Sequence, residues 1–178
     1  MGGVNRIRAM PQDSGIVATM SDTGKAHIFD LTRVTRSMMI KGPRAAPPHT
    51  QAYKNKGHHE EGYAVDWSGV TTGQLATGDC ACGIYIWNNV GTGSGGSMAS
   101  SFKVGKAYLG HTGSVEDLQW SPTESTVFSS SSVDRTVRIW DIRGKTGPQI
   151  TIEAHEADVN VISWNKNVNY LLASGCDD

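Results

Sequence analysis

The sequence predicts an all-β molecule made of about four copies of one strand-rich unit. Apolar and polar residues alternate in segments of about five, the period of half-buried strands rather than of helices, with Gly, Asp and Ser-Pro signals between them. The chain also matches itself. The stretch from Gly110-His111 to Trp140-Asp141 recurs 44 residues later from Ala154-His155 and 53 residues earlier from His58. Finally, 21 glycines are spread over the 178 residues, as many short strands joined by turns require.

The first copy, within residues 1–45, is the weakest: Val4-Asn5-Arg6-Ile7-Arg8, then Ile16 to Asp22, then Lys25 to Asp30, with Phe29 where later copies carry Trp. Residues 41–57, with Pro43, Pro47, Pro48 and several basic residues, are expected to be a loop between units. The second copy, 57–109, places strands at 62–67, 74–78, 83–88 and 102–109 in one sheet. It is lengthened by a Gly/Ser-rich loop at 91–101, which lacks the Lys and following helix of a phosphate loop. The third copy, 110–153, is the most complete. The fourth, 154–178, runs through Val159 to Trp164 and Leu171 to Asp178, without a third strand or its Trp. Trp67, Trp120 and Trp164 share one repeat position and are expected in the core.

Composition narrows the function classes. Three cysteines (Cys80, Cys82, Cys176) make no disulfide framework, which points to a reducing compartment. No apolar run suits a signal peptide or a membrane span, so a soluble intracellular protein without membrane contact is expected. Cys80-Ala81-Cys82 has too short a spacing for structural zinc, and His58-His59 lies far from it; no metal or other cofactor is expected. Charge is unevenly placed. Residues 1–56 hold nine Lys/Arg against three Asp/Glu (+6), and residues 57–178 hold seven against fourteen (−7). The acidic part suits a basic partner. The basic part (Arg33, Arg36, Lys41, Arg44, Lys54, Lys56) could make weak contact with RNA phosphates.

Repeats with a Gly-His start and a Trp-Asp end resemble the WD-repeat family. The resemblance implies a β-propeller, with this chain supplying about three and a half blades of an expected seven-bladed ring. Such a partial ring would expose blade faces, and the 178 residues alone are expected to be poorly soluble. The resemblance also implies a structural hydrogen-bonded tetrad: His111, Ser130, Asp134 and Trp140 in the third blade, and His155, Ser174 and Asp178 in the fourth. In the second blade Ala81 stands six residues before Trp87, where the Asp is expected, so that tetrad is expected to be incomplete, with Asp79 nearby. Ser, His and Asp are also hydrolase residues, but the repeat places them inside a blade. Neither a catalytic residue nor a small-molecule substrate is expected.

Several stretches are not generic to such repeats: Gly2 to Arg8, Glu61-Gly62-Tyr63-Ala64-Val65-Asp66-Trp67-Ser68, Leu75 to Cys80, Gly110 to Glu124 and Asp158 to Asn165. Together they resemble the glutamate-rich WD-repeat protein family, although these residues contain no Glu-rich run. The resemblance implies a non-catalytic scaffold of ribosome assembly, chaperoning a basic large-subunit ribosomal protein in the nucleus, at the nucleolus. A histone-binding subunit of a chromatin complex, a generic adaptor and an enzyme on a propeller scaffold are the alternatives. Glu61, Ser114 and Asp158 share the repeat position that leads into each first strand. With Glu60, Glu116, Asp117 and Glu156 they are expected to set carboxylates in an arc facing a Lys/Arg-rich client.

Overall fold

A computed structural model describes residues 2–41, 50–54, 58–91, 102–144 and 147–177. Three four-stranded antiparallel sheets and one two-stranded sheet follow one another along the chain. The first contains β1 (Val4–Met10), β2 (Asp13–Ser21), β3 (Ala26–Asp30) and β4 (Thr50–Lys54) in that order. The second contains β5 (Ala64–Trp67), β6 (Gln74–Gly78), β7 (Ile84–Asn89) and β8 (Phe102–Val104), and the third β9 (Val115–Trp120), β10 (Val127–Ser132), β11 (Thr136–Asp141) and β12 (Ile150–Glu153). The last pairs β13 (Val159–Trp164) with β14 (Leu172–Cys176). Each sheet is a blade, and the all-β expectation of a partial propeller holds.

Two segments differ from the expected layout. Within the stretch expected as an inter-blade loop, residues 50–54 form β4, hydrogen-bonded to β3. A third strand ending its sheet leaves a row of unpaired N–H and C=O groups, and the next extended segment satisfies them. A helix, α1 (Thr32–Lys41), connects the two; the Thr32 N–H donates to Asp30 Oδ1 and the Thr35 N–H to Leu31 O, securing its first turn. The rest of 41–57, and residues 92–101 of the expected Gly/Ser loop, lie outside the described residues.

Strand alternation explains why this chain packs into blades. In β5 and β6, Val65, Trp67 and Leu75 turn to one side with Trp87 of β7, where they meet Met10, Ile16, Ala18, Met20, Ala26 and Ile28 of the first blade. Their neighbours Ala64 and Ala76, with Ile84 and Ile86, turn to the other side and meet Val115, Leu118, Trp120, Phe128 and Trp140 of the third. Both faces of a middle blade are therefore apolar, and the core is a series of seams rather than one centre. At the seam between the second and third blades, Ala64 and Ala76 sit in one cluster with Trp120, Phe128 and Trp140. Gly78 shows how close the approach is, since a Cβ there would lie 2.7 Å from Val115 Cγ1. Strands β1, β5, β9 and β13 lie next to one another at the hub, where β1, β9 and β13 border a groove of about 610 Å³.

Candidate protein-interaction face

The buried polar chemistry of the third blade is a single chain of hydrogen bonds. Asp134 Oδ2 accepts from His111 Nδ1 at 2.8 Å, His111 Nε2 accepts from Ser130 Oγ at 2.6 Å, and Ser130 Oγ accepts from Trp140 Nε1 at 2.8 Å. Asp134 Oδ2 also accepts the Thr112 N–H, and Oδ1 the Thr136 N–H and hydroxyl. Burial raises the Asp134 carboxyl, but the bonds from Thr136, His111 and Thr112 outweigh it and hold the group at about 2. Burial lowers the His111 imidazole below its ordinary value despite Asp134. A neutral histidine between a fixed acceptor and a fixed donor braces a blade. Ser130 is fully buried, so no substrate carbonyl can reach it.

The second blade holds a complete tetrad, contrary to the expectation from Ala81. Asp79 Oδ2 accepts from His58 Nδ1 at 2.6 Å, Thr77 Oγ1 donates to His58 Nε2 at 2.6 Å, and Trp87 Nε1 donates to Thr77 Oγ1 at 2.8 Å. Asp79 lies two residues after Thr77, whereas Asp134 lies four after Ser130. Its other oxygen accepts the Gly83 N–H at 2.8 Å, so its carboxylate caps the same turn from the opposite side. In the fourth blade His155 Nε2 meets Ser174 Oγ at 2.9 Å, and Cys176 Sγ lies 2.9 Å from His155 Nδ1. Asp178 lies outside the described residues. In the first blade Phe29 pairs with Val17 as Trp87 pairs with Leu75 and Trp140 with Phe128.

The acidic residues that precede the hub strands divide by environment. Glu60, Glu156 and Asp158 are exposed, while Glu61 and Glu116 are half-buried. Glu61 is held in place: its backbone O accepts the Cys80 N–H at 2.8 Å, and Asn5 Nδ2 donates to Gly62 O at 3.3 Å beside it. The Glu61 carboxylate acts most strongly on the Tyr63 phenol, raising it, with burial, Cys80 and Glu116 adding to the effect. Glu61 and Glu116 thus flank one tyrosine at the seam of the second and third blades. Burial raises the Cys80 thiol, and the carboxylates of Glu116, Glu61 and Asp79 add to this against the lowering effect of Ser114, a balance that favours the thiol over the thiolate.

Asp117 differs from these acids. It is 4% exposed, its Oδ1 accepts from Arg6 Nη1 at 2.6 Å, and its Oδ2 accepts the Ile162 N–H at 3.2 Å. This carboxylate ties the first, third and fourth blades together at the hub, with both of its oxygens already bonded within the fold. Its position alternates with Glu116 along β9, which is why the strand turns one acid outward and the next inward. Among the described residues no group of three or more His, Cys, Asp and Glu is placed to hold a metal ion, and no helix is long and apolar enough to cross a membrane. Of the six basic residues that could touch RNA, only Arg36 has a described side chain, exposed on α1.

Residues 102–141 and 146–178 match the family model of the WD domain, G-beta repeat. The chain is 49% identical over 156 residues to Glutamate-rich WD repeat-containing protein 1 of Dictyostelium discoideum, covering 85% of this chain and 30% of that protein. It is 45% identical over 157 residues to Protein HEAT STRESS TOLERANT DWD 1 of Arabidopsis thaliana, covering 84% and 32%. It is 40% identical over 170 residues to Ribosome assembly protein rrb1 of Schizosaccharomyces pombe, covering 91% and 34%. The chain therefore spans about a third of the length of the relatives it matches.

Proposed function

This chain is a WD-repeat protein, and on that premise we propose that it is a non-catalytic scaffold of ribosome assembly whose acidic rim chaperones a basic large-subunit ribosomal protein in the nucleolus. The observation that carries the reading is the 40% identity to a ribosome assembly protein over 91% of the chain. The rim chemistry supports it. Glu60, Glu61, Glu116, Glu156 and Asp158 lie at or beside the leading ends of neighbouring hub strands, where their carboxylates complement Lys/Arg-rich surface. Such complementarity raises the on-rate and selects against acidic partners more than it adds affinity.

The test is affinity purification of the full-length protein, wild type against Glu116→Lys combined with Asp158→Lys, with the recovered proteins identified. Recovery of a large-subunit ribosomal protein that falls at least about tenfold in the variant at moderate salt is the expected result, a loss of roughly 1.4 kcal/mol. Equal recovery from both would exclude the rim as the contact. Histones as the dominant recovered proteins would replace the ribosomal client with a chromatin one.

A further inference from the structure

Helix α1 is fixed to the first blade at one end and stands open at the other. At its start the Leu31 N–H donates to Gly15 O at 2.7 Å, the Thr32 N–H to Asp30 Oδ1 at 2.9 Å, and the Thr35 N–H to Leu31 O at 2.8 Å. Leu31 and Val34 are half-buried, and the helix rests against β2. Its last turn is different. Met38, Met39 and Ile40 are 43%, 83% and 70% exposed, the longest unbroken run of large exposed apolar side chains among the described residues. Met39 and Ile40 lie three and four residues after Arg36, so the three share one helix face, and Arg36 is exposed with them. The ten residues of α1 include Arg33, Arg36 and Lys41 but no Asp or Glu.

A helix that only linked β3 to β4 would be solvated best by a polar outer face. Here the outer face joins apolar surface to positive charge, and that combination selects its partner. RNA phosphates would use the cations and leave Met39 and Ile40 in water. A membrane surface calls for a longer apolar stripe than these few side chains provide. A peptide segment with apolar side chains among its Asp and Glu satisfies both parts: its carboxylates meet Arg36 while its apolar residues cover Met39 and Ile40. Methionine suits such a contact, being flexible and polarizable enough to repack against varied apolar side chains.

We propose that the outer face of α1, centred on Arg36, Met39 and Ile40, docks an acidic peptide segment that carries apolar side chains. This face is distinct from the acidic rim. Glu60 of the rim lies against Gly24, just before β3, whereas α1 follows the far end of that strand. The chain thus offers surfaces of opposite charge at the two ends of β3, and the α1 surface does not depend on which client the rim takes.

The test uses the full-length protein and a fluorescent synthetic peptide with Leu and Phe interspersed among Asp and Glu, read by anisotropy. A peptide with Ser in place of Leu and Phe, a single-stranded RNA and phosphatidylserine vesicles are the comparisons. The acidic–apolar peptide is expected to bind at least about tenfold more tightly than the Ser peptide. Met39→Ser combined with Ile40→Ser should raise its Kd at least about tenfold. Arg36→Glu should raise it at least about threefold, an effect that shrinks with added salt. Wild-type protein gives a readout that needs no variant: bound peptide should slow oxidation of Met39 to its sulfoxide by hydrogen peroxide at least about threefold. Equal Kd values for wild type and variants would overturn the proposal, as would unprotected Met39 at saturating peptide. Tighter binding of RNA or of vesicles than of the peptide, lost in the same variants, would overturn it too.

Discussion

Ser130 Oγ and Thr77 Oγ1 each sit between a histidine nitrogen and an indole N–H with no route for water to replace them. Thr77→Val keeps the shape and removes the hydroxyl, so His58 Nε2 and Trp87 Nε1 each lose the bond they make to it. A buried polar group that loses such a bond costs roughly 1–3 kcal/mol, so the variant is expected to lose about 2–4 kcal/mol in urea unfolding. Ala81→Asp is the informative companion. It restores the Asp expected from spacing, yet His58 Nδ1 is already bonded to Asp79, so stability should stay within about 0.5 kcal/mol. This tetrad was half legible in the sequence. His58, Thr77 and Trp87 repeat the offsets of His111, Ser130 and Trp140, 19 and then 10 residues. The acid was hidden because Asp79 reaches the histidine from the end of β6 instead of from the turn's far side. Spacing identifies the residue, but reach decides the bond. Asp117 was misplaced for a similar reason: adjacent acids on a strand face opposite ways, and only the hub shows that Arg6 lies 111 residues away, waiting for one of them.

At the scale of the elements, the tight turns between the second and third strands share one backbone requirement. Gly24, Cys82 and Arg135 occupy matching turn positions with φ of 67°, 66° and 69°. That left-handed conformation is strained for Cys and Arg and free for Gly. Arg135→Gly should therefore raise stability by about 0.5–1 kcal/mol in urea unfolding, net of the greater freedom of the unfolded glycine. Arg135 is exposed and no packing opposes the change. A loss of stability would mean that its side chain makes a contact which outweighs the strain. Strands were the most legible elements, because period-two alternation survives even where the consensus residues do not; β1 to β3 stand where the weakest copy placed them. Helix α1 and strand β4 were not legible. A Pro-rich, basic stretch carries no periodic signal, and β4 exists because β3 offers an edge to pair with, a tertiary cause that no local pattern encodes.

Across the whole molecule, stability comes from blade stacked on blade, and the exposed faces follow from that. Val4 and Ile7 on β1 are 61% and 58% exposed, and Val161 on β13 is 52% exposed, although each alternates with residues that are seated in a seam or bonded at the hub. All three border the hub groove together with Arg6, Asp117 and Ile162. A middle blade buries both its faces, so an apolar face left against water is a surface another blade can cover. The 178 residues taken alone are therefore expected to self-associate through this groove. Sedimentation of these residues should show concentration-dependent oligomers, and Ile7→Lys with Val161→Lys should shift them toward monomer, because like charges then meet across any shared contact. The Arg6–Asp117 bridge lies in the same groove, so a pairing that depended on charge would weaken with salt, whereas one driven by Val4, Ile7 and Val161 would hold or strengthen in sulfate. Monomeric, cooperatively unfolding material at all concentrations would show that the hub contacts of Asp117 with Arg6 and Ile162 suffice to stabilise these blades without a further apolar partner.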